Sequence, residues 1–182
     1  MKKKVFEFGL FRTLIIFMVI IASIGLFLPY ETSTEHHRKW LEKHPENVYI
    51  KEIDMTNKEA LEISIVENFR MYIAATSEDT GTDYNNEWLH GEAIINIVIT
   101  VALILSIFML LLGAIFRKYI LSFIFNLIMI GSSLLMNYDI GLRGVLPSRK
   151  YNCGISYYLY IILGVILVVL IIMAIIEKKK VK

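Results

Sequence analysis

The sequence predicts an all-α integral membrane protein: a bundle of four transmembrane helices with a small structured α or α+β extracytoplasmic domain inserted between the first and second. Three observations predict it. Four stretches, Thr13 to Tyr30, Ala93 to Phe116, Tyr119 to Tyr138 and Tyr151 to Ile176, contain no Asp, Glu, Lys or Arg. Basic residues crowd the short segments on one side of these stretches. The 62 residues from Glu31 to Glu92 stand apart as a polar, patterned insertion. With 56% hydrophobic and 20% charged residues overall, the 182-residue chain is neither disordered nor fibrous.

A soluble helix keeps charges on its water-facing side, so about 18 or more apolar residues without a charge read as a membrane span. In hydrocarbon each span must close its own backbone hydrogen bonds. Barrel strands would alternate polar and apolar residues, whereas Val165 to Ile176 (VILVVLIIMAII) is apolar on every side. The predicted order is a basic amino end over 1–12, spans at 13–30, 93–116, 119–138 and 155–176, and a basic tail over 177–182. The acidic insertion (31–92), a two-residue turn (117–118) and an outer loop (139–154) connect the spans. Lys2-Lys3-Lys4 ahead of the first run resembles a signal peptide, but the run is long and ends in Phe27-Leu28-Pro29 without a small-x-small site, so it is expected to remain as an anchor.

Orientation follows from the basic residues. Lys2, Lys3, Lys4, Arg12, Arg117, Lys118 and four lysines of the tail lie on one side, in short segments, and the positive-inside rule places both termini in the cytoplasm of a plasma membrane. The Glu31 to Glu92 segment holds fourteen acidic and six basic residues, net −8, against +2 for the whole chain. Such a face disfavours nucleic acid and suits a basic protein partner, while the inner lysines suit anionic lipid. Arg149 and Lys150 in the second loop are expected to face the acidic domain. The lysine, isoleucine and asparagine content suggests a bacterial source.

Within the insertion, Thr34 to His44 reads as a short helix stopped by Pro45, and Val48 to Ile53 as a strand. Thr56-Asn57-Lys58-Glu59 has the pattern of a capping box and favours a helix over Leu61 to Ile73, although the alternation there also permits two strands. Thr76 to Asn86 is rich in turn residues.

No chemistry is legible. Cys153 is the single cysteine, which excludes an intramolecular disulfide and a Cys-x-x-Cys pair. His36, His37 and His44 lack metal-ligand spacing, and serines such as Ser122 lack a basic partner, so neither a metal, a cofactor nor a catalytic residue is assigned. Asn96, Thr100, Asn126 and Ser133 read as helix-packing residues or as a polar seam between the second and third spans. Tyr30, Trp88, Tyr157 and Tyr158 read as interface anchors.

The layout of four spans, inner termini, a large first outer loop, a two-residue inner turn and a smaller second loop resembles the claudin and peripheral-myelin-protein type of tetraspan protein in topology. That family's Gly-Leu-Trp motif and cysteine pair are absent, so no functional residue is carried over. The expected function is non-catalytic binding of another protein through the outer domain and helices, as an accessory subunit of a transport or secretion complex or as an immunity protein. A small transport or lipid-binding protein is the alternative.

Overall fold

A computed structural model describes the backbone of residues 2–76, 87–142 and 144–180, with side chains over 9–76, 91–142 and 144–179. Helix accounts for 74% of the chain, which makes the class predominantly α. The elements run α1 (Lys2–Gly25), β1 (Pro29–Ser33), α2 (Glu35–Leu41), β2 (Val48–Ile50), β3 (Met55–Thr56), β4 (Glu62–Ser64) and α3 (Ile65–Thr76). They continue with α4 (Glu87–Ile115), α5 (Tyr119–Leu142), β5 (Tyr151–Cys153) and α6 (Ile155–Lys180). Three stretches are long and apolar enough to cross a membrane: Gly91–Ile115, Tyr119–Leu142 and Ile155–Lys179. Helix α1 contributes a shorter apolar stretch, Gly9–Gly25.

The chain divides into two compact units. The first comprises Met1–Gly25, Ala102–Leu134 and Leu159–Lys182. Each of its helices buries one stripe: Ile15, Val19 and Ala22 in α1; Leu103, Ile107, Leu110 and Ala114 in α4; Leu163, Leu167, Ile171 and Ala174 in α6. Side chains three and four apart share a helix face, so this spacing is the mark of helix packing. The opposite faces remain apolar, with Phe17, Phe108, Ile120 and Val165 more than half exposed. An apolar exterior of this kind suits lipid, where tight packing holds helices together. Gly164 shows how tight: an added Cβ would strike Ile130 of α5, while the Gly164 carbonyl accepts a 2.9 Å bond from Asn126 Nδ2.

The α4–α5 connection is the short turn expected. Lys118 N donates to the Gly113 carbonyl at 2.7 Å and Arg117 N to Ala114 at 3.3 Å, with Arg117 at φ 57°. This is the Schellman pattern with arginine in the left-handed position that glycine usually takes.

The second unit comprises Leu26–Val101 and Leu135–Tyr158. Its core is a three-stranded antiparallel sheet in the order β4-β1-β5, with Glu31 opposite Ile63 on one side and Cys153 on the other. The segments that precede α4 and follow α5 are therefore joined through β1. Gly154 permits the closure, since a Cβ there would meet the Pro29 carbonyl. A second cluster packs Leu41, Met55 and Ala60 with Tyr49, Ile50, Ile53 and Leu61, and β2 pairs with β3.

Several expected boundaries shift. The first apolar run does not stay helical to Tyr30; it ends at Gly25, because Pro29 disfavours helix in the preceding residue and Pro29–Ser33 pairs as β1. The expected Val48 to Ile53 strand stops at Ile50 and turns into a 3₁₀ turn. Between 61 and 73 the helix prevails as α3 from Ile65, preceded by a single short strand over Glu62–Ser64, and of the two alternative strands the second does not form. The Thr56–Glu59 capping box forms, at 2.8 and 3.3 Å, but begins only a 3₁₀ turn. A second box starts α3: Ser64 N donates to Glu67 Oε2 at 2.5 Å and Glu67 N to Ser64 Oγ at 3.2 Å. Helix α5 runs past Tyr138 to Leu142, taking in Asp139, and α6 continues through Ile176 to Lys180. Most of the Thr76 to Asn86 segment lies outside the described residues.

Gly164→Val is expected to lower stability in detergent by about 1–3 kcal/mol through overpacking against Ile130. Gly131→Ala, where no atom lies within 4 Å of the new Cβ, should leave the melting temperature unchanged or slightly raised; equal losses in thermal unfolding would contradict the close α5–α6 approach.

Candidate functional site

Glu31 is a carboxylate buried on the central strand, 6% exposed. Its Oε1 accepts a 3.0 Å hydrogen bond from Asn68 Nδ2 of α3, itself 6% exposed. Burial drives the Glu31 carboxyl above the ordinary range, and the Asn68 bond only partly opposes it. The polar insertion expected from Glu31 onward thus begins with a strand that turns this carboxylate inward.

Next to Glu31, Tyr30 is fully buried, with its hydroxyl donating to Asn137 Oδ1 at 2.8 Å and its ring 5.5 Å from that of Tyr157. Asn137 Nδ2 in turn donates to the Tyr157 carbonyl at 2.9 Å. Tyr30 is thus a core residue joining β1, α5 and α6, which corrects its reading as an interface anchor: its polar end finds a protein acceptor. Tyr157 is half-buried, and Tyr158 is 52% exposed. Trp88 falls in the first turn of α4, and its side chain lies outside the described residues.

The second cluster surrounds His37, which is buried in α2 together with Leu41. Its ring stacks on Trp40 (5.7 Å, 7°), meets Tyr151 edge-on (5.2 Å, 76°) and tilts to Tyr49 (6.0 Å), with Nε2 3.3 Å from the Tyr49 hydroxyl. The Tyr151 hydroxyl donates to the Ala60 carbonyl at 2.9 Å. Burial, then Lys150 and His36, lower the His37 pKa and favour the neutral ring. Trp40 closes this stack yet is 56% exposed. His36 and His44 are exposed, and no group of three His, Cys, Asp or Glu able to hold a metal occurs among the described residues.

The segment between α5 and α6 docks through its backbone. Thr34 N donates to the Lys150 carbonyl at 2.8 Å and Thr34 Oγ1 to Arg149 at 3.0 Å. No ion pair joins Arg149 or Lys150 to an acidic residue among the described residues, where Lys39–Glu35 is the one pair. Backbone pairing replaces the charge pairing expected of these two residues.

The four residues proposed as one seam serve different helix pairs. Asn96 Nδ2 donates to Asp139 Oδ2 at 2.9 Å and to the Glu92 carbonyl at 3.0 Å, linking α4 to α5, and Thr100 Oγ1 returns to the Asn96 carbonyl at 2.8 Å. Asn126 instead links α5 to α6 through Gly164, and Ser133 Oγ is buried without a hydrogen-bond partner. The helix register explains the split: Asn126 and Ser133, seven apart, share one face of α5. Asp139 was missed because it seemed to lie in a loop, and Asn137 because Asn alone carries no signal of its partner.

Comparison with protein-family models, curated proteins and solved structures finds no match to this chain.

Because the folded carboxyl titrates above its unfolded value, Glu31 lowers stability at neutral pH, and this penalty fades as pH falls through the folded pKa toward the ordinary carboxylate value near ~4.3. Glu31→Gln, which keeps an acceptor for Asn68, should therefore stabilise the protein at pH 7.5 by on the order of 1 kcal/mol. Its advantage should shrink at pH 5. Thermal unfolding at both pH values checks this, and a pH-independent difference would contradict a buried ionised Glu31.

Proposed function

We propose that the chain is a non-catalytic, four-span protein of a bacterial plasma membrane that binds another protein through its outer domain. The observation that carries this reading is Trp40, held flat against His37 while 56% exposed. A large aromatic side chain already fixed in place loses little conformational freedom on association, which is the usual quality of an interface anchor. Val48, 58% exposed, adds apolar surface in the same unit. The surrounding segment from Glu31 to Glu92, net −8, favours a partner with basic residues. An accessory role in a transport or secretion complex, or immunity against a membrane-active toxin, fits such a surface.

Helix α1 supplies the fourth span in this proposal: its apolar stretch, Gly9–Gly25, is 17 residues and about 26 Å long, at the short end of the range that crosses a ~30 Å hydrocarbon core. The arrangement then keeps the claudin-like layout, with both termini cytoplasmic. The alternative of small-molecule transport or lipid binding draws support from Asn126 Oδ1 and Ser133 Oγ, buried polar atoms without partners.

Extraction in mild detergent and quantitative mass spectrometry should find a near-stoichiometric protein with the wild-type chain. Trp40→Ala should reduce its recovery about tenfold or more while leaving the melting temperature within a few degrees, as expected of an exposed hot spot. Full recovery with Trp40→Ala, or a wild-type chain that purifies alone, would refute the proposal. Orientation is read separately with Cys153, the single cysteine: a membrane-impermeant maleimide should label it in intact cells to the extent seen in detergent. Labelling only after permeabilisation would reverse the topology.

A further inference from the structure

Two basic pairs that are distant in the chain meet in the first unit. Arg117 and Lys118 form the α4–α5 turn, and Lys178 and Lys179 stand near the end of α6. A 3.2 Å hydrogen bond from Lys178 Nζ to the Arg117 carbonyl joins them across 61 positions, and the same Nζ lies 5.9 Å from the centre of the Tyr119 ring. All four basic side chains are exposed. Glu177, their acidic neighbour in sequence, is half-buried with Oε2 shut off from solvent, so this rim presents positive charge.

The same turn also presents apolar surface. Phe116 is 68% exposed and Ile120 is 72% exposed, on either side of Arg117-Lys118. A soluble anion would neutralise the cations and leave these two side chains in water, where large apolar surface is unfavourable. A bilayer interface meets both needs, with acyl chains over Phe116 and Ile120 and headgroup phosphates beside the cations. Arg117 points the same way. Its φ of 57° is the left-handed position that glycine usually takes, and the turn closes through backbone bonds, from Lys118 N to the Gly113 carbonyl and from Arg117 N to the Ala114 carbonyl. Glycine would close this turn with less strain; arginine brings an exposed cation to its apex.

We infer that Arg117, Lys118, Lys178 and Lys179 form a rim that binds the phosphate headgroups of anionic phospholipid in the leaflet around the first unit. The inference rests on the membrane reading above and is independent of the outer-domain partner.

Native mass spectrometry of the full chain in mild detergent, offered equal amounts of phosphatidylglycerol and phosphatidylcholine, tests it. A basic side chain at an anionic surface is worth about fivefold in affinity, so the wild-type chain should retain phosphatidylglycerol at least about tenfold better. Arg117→Gly should cut that preference about fivefold while leaving the melting temperature within a few degrees of wild type, because glycine suits the left-handed position. Lys118→Gln combined with Lys179→Gln should bring the two lipids close to equal retention. Arg149→Gln combined with Lys150→Gln removes the same charge from exposed positions of the second unit and should leave the preference intact. Excess inorganic phosphate should not displace the lipid, since it cannot cover Phe116 and Ile120. Equal retention of the two lipids by the wild-type chain, an equal loss in the Arg149 and Lys150 variant, or full displacement by inorganic phosphate would overturn the inference. A chain that leaves the membrane without detergent would instead overturn the membrane reading beneath it.

Discussion

The second unit depends on what happens to Tyr30. Its hydroxyl reaches Asn137 on α5, its carbonyl accepts from Gly154 N at 2.8 Å, and its ring rests against Tyr157 on α6. Two residues earlier, the Leu28 carbonyl accepts from Ser156 Oγ at 3.1 Å. The chain leaving α1 is thus fastened to two other helices within a few residues. That fastening makes β1 the central strand: β4 lies on one edge and β5 on the other. A buried tyrosine is costly unless its hydroxyl is matched, and here the match is an amide that uses its other end on a third element. The sheet is therefore set by the helices it follows and precedes, although its own strands are only three to five residues long.

The helices were legible because lipid imposes a severe compositional rule, and the uncharged runs obey it. Their ends were not, because composition alone cannot see a partner. Asp139 joined α5 because Asn96 waits opposite, and Tyr30 left the first helix because Pro29 breaks it and a sheet edge receives it. The capping-box chemistry at Thr56 and Glu59 was legible as a bond and illegible as an element, since Ser64 and Glu67 hold the same pattern eight residues later. Strand pairing between residues over a hundred positions apart, such as Ser33 with Tyr151, has no local signature at all. The partners of the spans' amides were illegible for a related reason: Asn96 and Asn126 are alike in sequence, but helix register gives one to α5 and the other to α6.

Several titratable side chains of the second unit are enclosed by other parts of the protein. Glu31 is enclosed by Asn68 and the strand pairs, His37 by three aromatic rings, and Tyr151 by the Ala60 carbonyl. A general base must present its free lone pair to a substrate, and a histidine enclosed by Trp40, Tyr49 and Tyr151 presents a face instead. The same cluster holds the Trp40 ring stacked on His37 although Trp40 is 56% exposed.

Each unit holds buried polar atoms without a hydrogen-bond partner. In the second unit the buried amides of Asn68 and Asn137 each reach a protein partner, whereas Ser33 Oγ and Asn96 Oδ1 do not. In the first, Arg12 Nε, Asn126 Oδ1, Ser133 Oγ and Glu177 Oε2 are buried without one. Apolar packing cannot compensate for an unmatched charge, and hydrocarbon supplies neither donor nor acceptor.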